Sequence, residues 1–259
     1  MDGTEAGRPA APDHTDALVA AQAISSRLWG PGAPWHPGGL AWEFATAQDP
    51  AALEMHVWDD VAWARIYQPD ALMAQVDPAN PEVARDVVAW VESTRTGSAP
   101  RLEVMDGDTT LTEALRARGY DERDERFQLD MRRRAENVEV AMPSGYTLCT
   151  RADVSVEQRV EAHRRSWRPA ALPYPTEHRP DFAPDAASSF TAEKLARVEA
   201  LALYAPERDF VVLADDGDVA ACCTLWFDPA SRSAEIEPLG VVPEHRRRGL
   251  AQALCRAAL

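Results

Sequence analysis

No apolar run in this 259-residue sequence approaches the roughly 20 residues a helix needs to cross a bilayer. The first twelve residues are polar and proline-rich, without the basic-then-apolar order of a secretory leader. A cytoplasmic protein with a loose tail over residues 1–14 is therefore expected, and a membrane partner is not. Cysteine is scarce as well. Cys149, Cys222, Cys223 and Cys255 make no Cys-x-x-Cys pair and no Cys/His metal spacing. They read as free thiols, with Cys222 and Cys223 buried in an apolar strand, and no paired histidine marks a nucleophile among them. His178 and His245 have no companions at ligand spacing, so no metal is expected. Positive charge is in deficit, with 27 Lys and Arg against 42 Asp and Glu, a net charge of −15 and a pI near 4.8. That balance argues against nucleic acid or an anionic membrane as the main partner. Lysine is nearly missing, and Lys194 stands alone among the 27 basic residues, a usage bias without evident chemistry of its own.

What is present is enough chain for two modest cores in an α/β (α+β) arrangement. Residues 16–28 have helical periodicity and stop at Gly30-Pro31-Gly32. Strand-like runs follow at 40–46, 54–58, 62–67 and 71–76. A helix at 81–93 carries Val83, Val87, Val88 and Val91 on one face. A strand at 101–105, a helix at 110–118 and a strand at 126–132 complete a first domain over 15–134. A polar linker, 135–144, leads to a second domain over 145–259. There a strand at 146–150 precedes a helix at 154–166, and a long proline-rich loop, 168–189, has the length of a functional lid or a disordered segment. A helix follows from 191 to about 203. Residues 210–214 and 219–227 form a hairpin through Asp215-Asp216-Gly217-Asp218.

The most specific stretch is 234–254. An apolar strand with Leu239, Gly240, Val241 and Val242 enters Pro243, then the turn Arg246-Arg247-Arg248-Gly249, and a helix leaves through Leu250, Ala251, Gln252 and Ala253. Successive backbone N–H groups, a glycine free to take φ > 0 and a helix N-terminus together make an anion cradle that suits a pyrophosphate. Glu235 and Glu237, two apart on the entering strand, point to one face about 7 Å apart. Two neighbouring carboxylates raise one pKa toward neutrality, as a general base requires. The alternative is that both are solvated surface charge.

Arg246, Gly249 and Ala251 fill the pattern Gln or Arg, two residues, Gly, one residue, Gly or Ala. With the strand and Pro243 before them, they resemble the acetyl-CoA-binding motif of the GNAT superfamily of N-acetyltransferases. The resemblance implies an acetyl-CoA cosubstrate whose pantetheine arm lies along Leu239, Gly240 and Val241. Arg246, Arg247, Arg248, Gly249, Leu250, Ala251, Gln252 and Ala253 would then hold the pyrophosphate. It implies a glutamate base on this strand eight residues before Pro243, which is Glu235, and transfer to the primary amine of a small molecule. His163 and Trp167, at spacing four beside the long loop, are acceptor-site candidates, with packing as the other reading.

In architecture the chain is similar to tandem GNAT proteins of the mycothiol synthase-like kind, two mixed-sheet domains in series. The first lacks the cofactor turn: after 71–76 it runs Asp77-Pro78-Ala79-Asn80-Pro81-Glu82, where Glu82 would repel a phosphate. It is expected to be degenerate. The second stops inside the helix begun at Leu250, so its closing strand-helix-strand unit, and the tyrosine acid that sits there in the family, would lie beyond Leu259. Asp228 stands where a mycothiol synthase has a basic residue, which makes acetylation of a cysteinyl amine an alternative and not the main reading. A non-catalytic acyl-CoA-binding or regulatory scaffold is the other. Oligomeric state is open, a homodimer included.

Overall fold

The computed structural model describes residues 14–30, 32–50, 53–68, 71–94, 101–122, 134, 138–168 and 188–259. The tail, the strand expected at 126–132 and the body of the 168–189 loop with His178 lie outside the described residues. In chain order the helices and strands are α1 (His14–Leu28), α2 (Pro37–Thr46), β1 (Met55–Trp58), β2 (Ala62–Gln68), β3 (Ala71–Val76), α3 (Val83–Ser93), β4 (Arg101–Leu102), α4 (Thr109–Ala117), β5 (Tyr146–Thr150), α5 (Val156–Ser166), α6 (Ala192–Glu199), β6 (Asp209–Ala214), β7 (Val219–Asp228), β8 (Ser233–Val241) and α7 (Leu250–Ala257). The chain divides into two compact units, one of Met1–Trp35 with Asp49–Tyr120, the other of His36–Gln48 with Asp121–Leu259.

The first unit is a sheet of order β1-β2-β3-β4, antiparallel up to β3 and parallel at the short β4. α3 lays Ala84, Val87, Val88 and Val91 inward, the face its valine spacing marks. Ala84, Val87 and Val88 pack with Ala62, Ala64, Ala74 and Val76 of the sheet and with Leu111 and Leu115 of α4. α4 is capped by Asp108, whose carboxylate accepts from the Leu111 N–H at 3.1 Å. α3 begins after Glu82, which makes no side-chain cap bond.

The second unit is an antiparallel sheet of order β5-β6-β7-β8. Gly217, at φ +85°, closes the β6–β7 hairpin that its aspartate-glycine sequence predicts. α5 starts with a capping box, Ser155 and Gln158 each bonding the other's backbone N–H. Its Arg159 is wholly buried and reaches Asp209 of β6 at 2.8 and 3.0 Å and Thr224 of β7 at 3.0 Å. Tyr204 also donates to that carboxylate, at 3.0 Å. Arg159 and Asp209 are each other's only opposite charge among these four groups, so removing either strands the other.

Residues 40–46 are helical, not the strand their apolar content suggests. Pro37 supplies the fixed φ of a first helical position, and His36 caps it by accepting from the Gly38 N–H at 3.0 Å. Leu40, Ala41, Trp42 and Ala45 are buried. This helix packs in the second unit, so the linear boundary at 134 does not describe where 36–48 resides. Gly38 and Gly39 are where it meets the sheet: a Cβ on Gly38 would overlap the Trp226 Cβ of β7, and one on Gly39 would stand 2.7 Å from Glu235 Oε2 of β8. The 101–105 strand contracts to Arg101–Leu102.

Candidate functional site

β8 pairs with β7 on one side only among the described residues. The ladder slips between Cys223–Leu239 and Leu225–Ile236, so β8 has one residue more than β7 there, and the extra length falls at Glu237 and Pro238. Proline cannot donate to a ladder, which places the bulge where Pro238 predicts a break. Trp226 fills the gap, its indole donating to the Glu237 carbonyl at 2.6 Å.

The bulge turns the Glu237 carboxyl into a cavity of about 220 Å³, lined by Trp42 and Thr46 of α2, His163 and Trp167 at the end of α5, Ser188, Ser189, Phe190, Lys194 of α6 and Pro238. Burial, then the negative charges of Glu235 and Glu43, push the Glu237 carboxyl up to about 7. Glu235 is more exposed. Its Oε2 lies 3.4 Å from Nδ1 of the buried His36, whose Nε2 is 3.0 Å from the Ser233 hydroxyl. The two carboxylates thus share a neighbourhood, as their spacing implies, and Glu237 is the one facing the cavity.

The cavity's aromatic wall is continuous. His163 stacks on Trp167 with centroids 4.5 Å apart and meets Phe190 at a tilt at 4.3 Å, and Trp42 stacks on Phe190 at 5.5 Å. Burial, with the charges of Arg159 and Lys194, drops the His163 pKa to about 3, so its ring is neutral. Trp167 lies over β8 at Gly240, where a Cβ would overlap its ring. His163 and Trp167 therefore pack and line the cavity at once.

Leu239, Gly240 and Val241 continue β8 toward the turn, paired with Cys223, Cys222 and Ala221. Arg247 and Gly249 take left-handed φ values of +63° and +87°, and α7 begins with no side-chain cap. The first N–H groups of α7, at Leu250, Ala251 and Gln252, precede the first helical bond from Ala253 to Gly249. Leu250 and Ala253 are buried, and Ala251 and Gln252 lie toward the surface. Arg246 is turned inward, its guanidinium donating to the carbonyls of Val241 at 3.1 Å and Ser166 at 3.3 Å. It clamps the turn to β8 and α5, whereas Arg247 and Arg248 are exposed. Arg248 donates to the Tyr146 hydroxyl at 3.0 Å, which in turn is 3.0 Å from His245.

Cys222 and Cys223 are buried, and burial pushes the Cys222 thiol up to about 11. Neither has thiolate character. Sequence reasoning missed His36, Trp42, Glu43 and Thr46, because α2 read as a strand of the first domain. It also missed Phe190 and Lys194. Pro37 followed by two glycines was the available signal, a helix start with room for close approach.

Residues 164–259 match the acetyltransferase (GNAT) family. No curated protein matches the sequence. A solved GCN5-related N-acetyltransferase from Sphaerobacter thermophilus is similar at 18% identity and a TM-score of 0.48, covering 96% of this chain and 80% of its own. Residues 164–259 form a GNAT acetyltransferase domain, and the chain is an acyltransferase.

Proposed function

We propose that the chain transfers the acetyl group of acetyl-CoA to the primary amine of a small molecule, with Glu237 as general base. The observation carrying this is the Glu237 carboxyl, held near neutrality in a cavity beside β8, the strand that leads into the Arg246–Gly249 turn. Glu235, the base that strand position alone suggests, serves in this reading to raise the pKa of Glu237. The N–H groups of Leu250, Ala251 and Gln252 with Arg247 and Arg248 face the pyrophosphate, and the edge of β8 that is unpaired among the described residues takes the pantetheine amides at Leu239, Gly240 and Val241.

Glu237 takes the proton of the arriving ammonium. The amine lone pair then attacks the thioester carbonyl carbon, and the C–N bond forms as the oxyanion develops. The tetrahedral nitrogen sheds its second proton as collapse breaks the C–S bond, the leaving thiolate takes up one proton to become the coenzyme A thiol, and Glu237 returns the first proton to solvent. A tandem arrangement, with the first unit a degenerate relative of the second, accords with two compact units that each carry a four-stranded sheet.

Glu237→Gln should lower kcat by about 10²–10⁴-fold while the calorimetric affinity for acetyl-CoA is retained. The wild-type rate should rise with pH through about 7, as the base loses its proton. Glu235→Gln should keep most of the rate and move that limb to lower pH, since it removes a neighbouring charge. A limb abolished by Glu235→Gln and kept in Glu237→Gln would transfer the base role to Glu235. Tight acetyl-CoA binding without turnover of any amine would leave a coenzyme-binding scaffold.

A further inference from the structure

We infer that the acceptor is a small α-amino acid with an apolar side chain, and that Lys194 binds its carboxylate. The inference rests on the acetyl-transfer reading, since it assigns the cavity around Glu237 to the acceptor. Three chemically distinct walls meet in that cavity. Glu237, with Glu235 and Glu43 near enough to raise its pKa, makes a negative side that receives an ammonium. The rings of Trp42, Phe190, His163 and Trp167 make an uncharged apolar side, because His163 is neutral.

The third wall is Lys194, 7% exposed. Among the described residues its ammonium donates to the Ser189 hydroxyl at 3.1 Å, one bond for a group with three donors. Burial and the nearby Arg197 both disfavour its charge. An incoming carboxylate would offset both. In a chain with 27 basic residues, this is the one that is lysine. A compact point charge on a thin stem fits a small site where a planar guanidinium fork would need more room.

These charges select against other amines. A polyamine would bring a second cation against Lys194, and a monoamine without a carboxylate would leave it uncompensated. At about 220 Å³ the cavity is smaller than the roughly 300–1,000 Å³ of drug-sized sites, which suits a small acceptor. An amino acid places its ammonium on Glu237, its carboxylate on Lys194 and its side chain on the rings.

The test is calorimetric binding to the full chain in the presence of coenzyme A, using L-leucine, L-phenylalanine and their carboxamides, with acetyl transfer measured in parallel. The acids should bind at least tenfold more tightly than the carboxamides, and Lys194→Met should erase that difference while coenzyme A affinity stays. Equal binding of acid and carboxamide by the wild type, or no binding of the acids, overturns the inference. Turnover of carboxamides or simple amines in preference to the acids overturns it too and leaves acetyl transfer standing. Acids that bind with the expected discrimination yet are never acetylated support the carboxylate site and overturn their assignment as acceptors. The wild-type comparison decides the matter even where Lys194→Met fails to fold.

Discussion

At Glu237 burial and two neighbouring carboxylates act in the same direction, each favouring the neutral acid. The unfolded chain releases that proton near 4.5, whereas the folded chain holds it to about 7. Between those values the native state binds the extra proton, so this group's contribution to stability falls as pH rises from 4.5 to about 7 and is level above it. Glutamine carries no charge at any pH. Glu237→Gln should therefore melt higher than the wild type at pH 8, by on the order of 3 kcal/mol, with the advantage shrinking toward pH 5. Thermal melts of both proteins across that range check it, and a gap independent of pH would mean that the native carboxyl is not protonated. The price of a base poised near neutrality is thus visible as lost stability. The need for a carboxylate pair was legible in Glu-x-Glu on a strand. Which member faces the cavity was not, because that depends on the bulge at Pro238 and on Glu43, which comes from a segment almost 200 residues away.

α2 and α7 contrast as elements. α7 is readable because its determinants are local: a glycine that takes φ +87°, then Leu250, Ala253 and Leu254 on one face. α2 is fixed by what it lies against. Its two glycines lower helix propensity by about 1 kcal/mol each, yet they sit where it meets the sheet. Gly38→Ala should gain that propensity and lose more, since the new methyl overlaps the Trp226 Cβ, an atom bonded to backbone that cannot swing away. Net destabilisation of about 1–3 kcal/mol is expected, with a loss of activity as Trp42 and Thr46 leave the cavity wall. Gly39→Ala meets only the carboxylate end of the flexible Glu235 side chain, which can shift, and should cost less than Gly38→Ala. Denaturant melts of the two variants decide it, and equal values would mean that α2 does not rest on β7 as closely as described. No periodicity in 36–48 could reveal this, because the segment's partners are far along the chain.

At the scale of the whole molecule, two compact units raise the question of how many coenzymes one chain binds. The helix starts that follow the two sheets differ in the terms that matter for a polyphosphate. α7 offers a left-handed glycine, uncapped N–H groups and exposed Arg247 and Arg248. α3 offers Glu82 at its cap position and Asp77 just before it, whose carboxylate accepts from the Ala79 N–H at 2.9 Å and pairs with Arg27 at 2.5 Å. These bonds, the one from Ala79 first, hold the Asp77 carboxyl below its ordinary value, so it is charged and already occupies a backbone donor that a phosphate would need. Titration with acetyl-CoA should therefore give one site per chain. At a free concentration one hundred times Kd, binding should add about 2.7 kcal/mol to the unit that binds and nothing to the other. Hydrogen exchange resolves the two: protection should increase in β8 and α7 and stay constant in α3 and β3. Two equivalents bound, or protection gained at the start of α3, would restore a working coenzyme site to the first unit and end its reading as a degenerate copy.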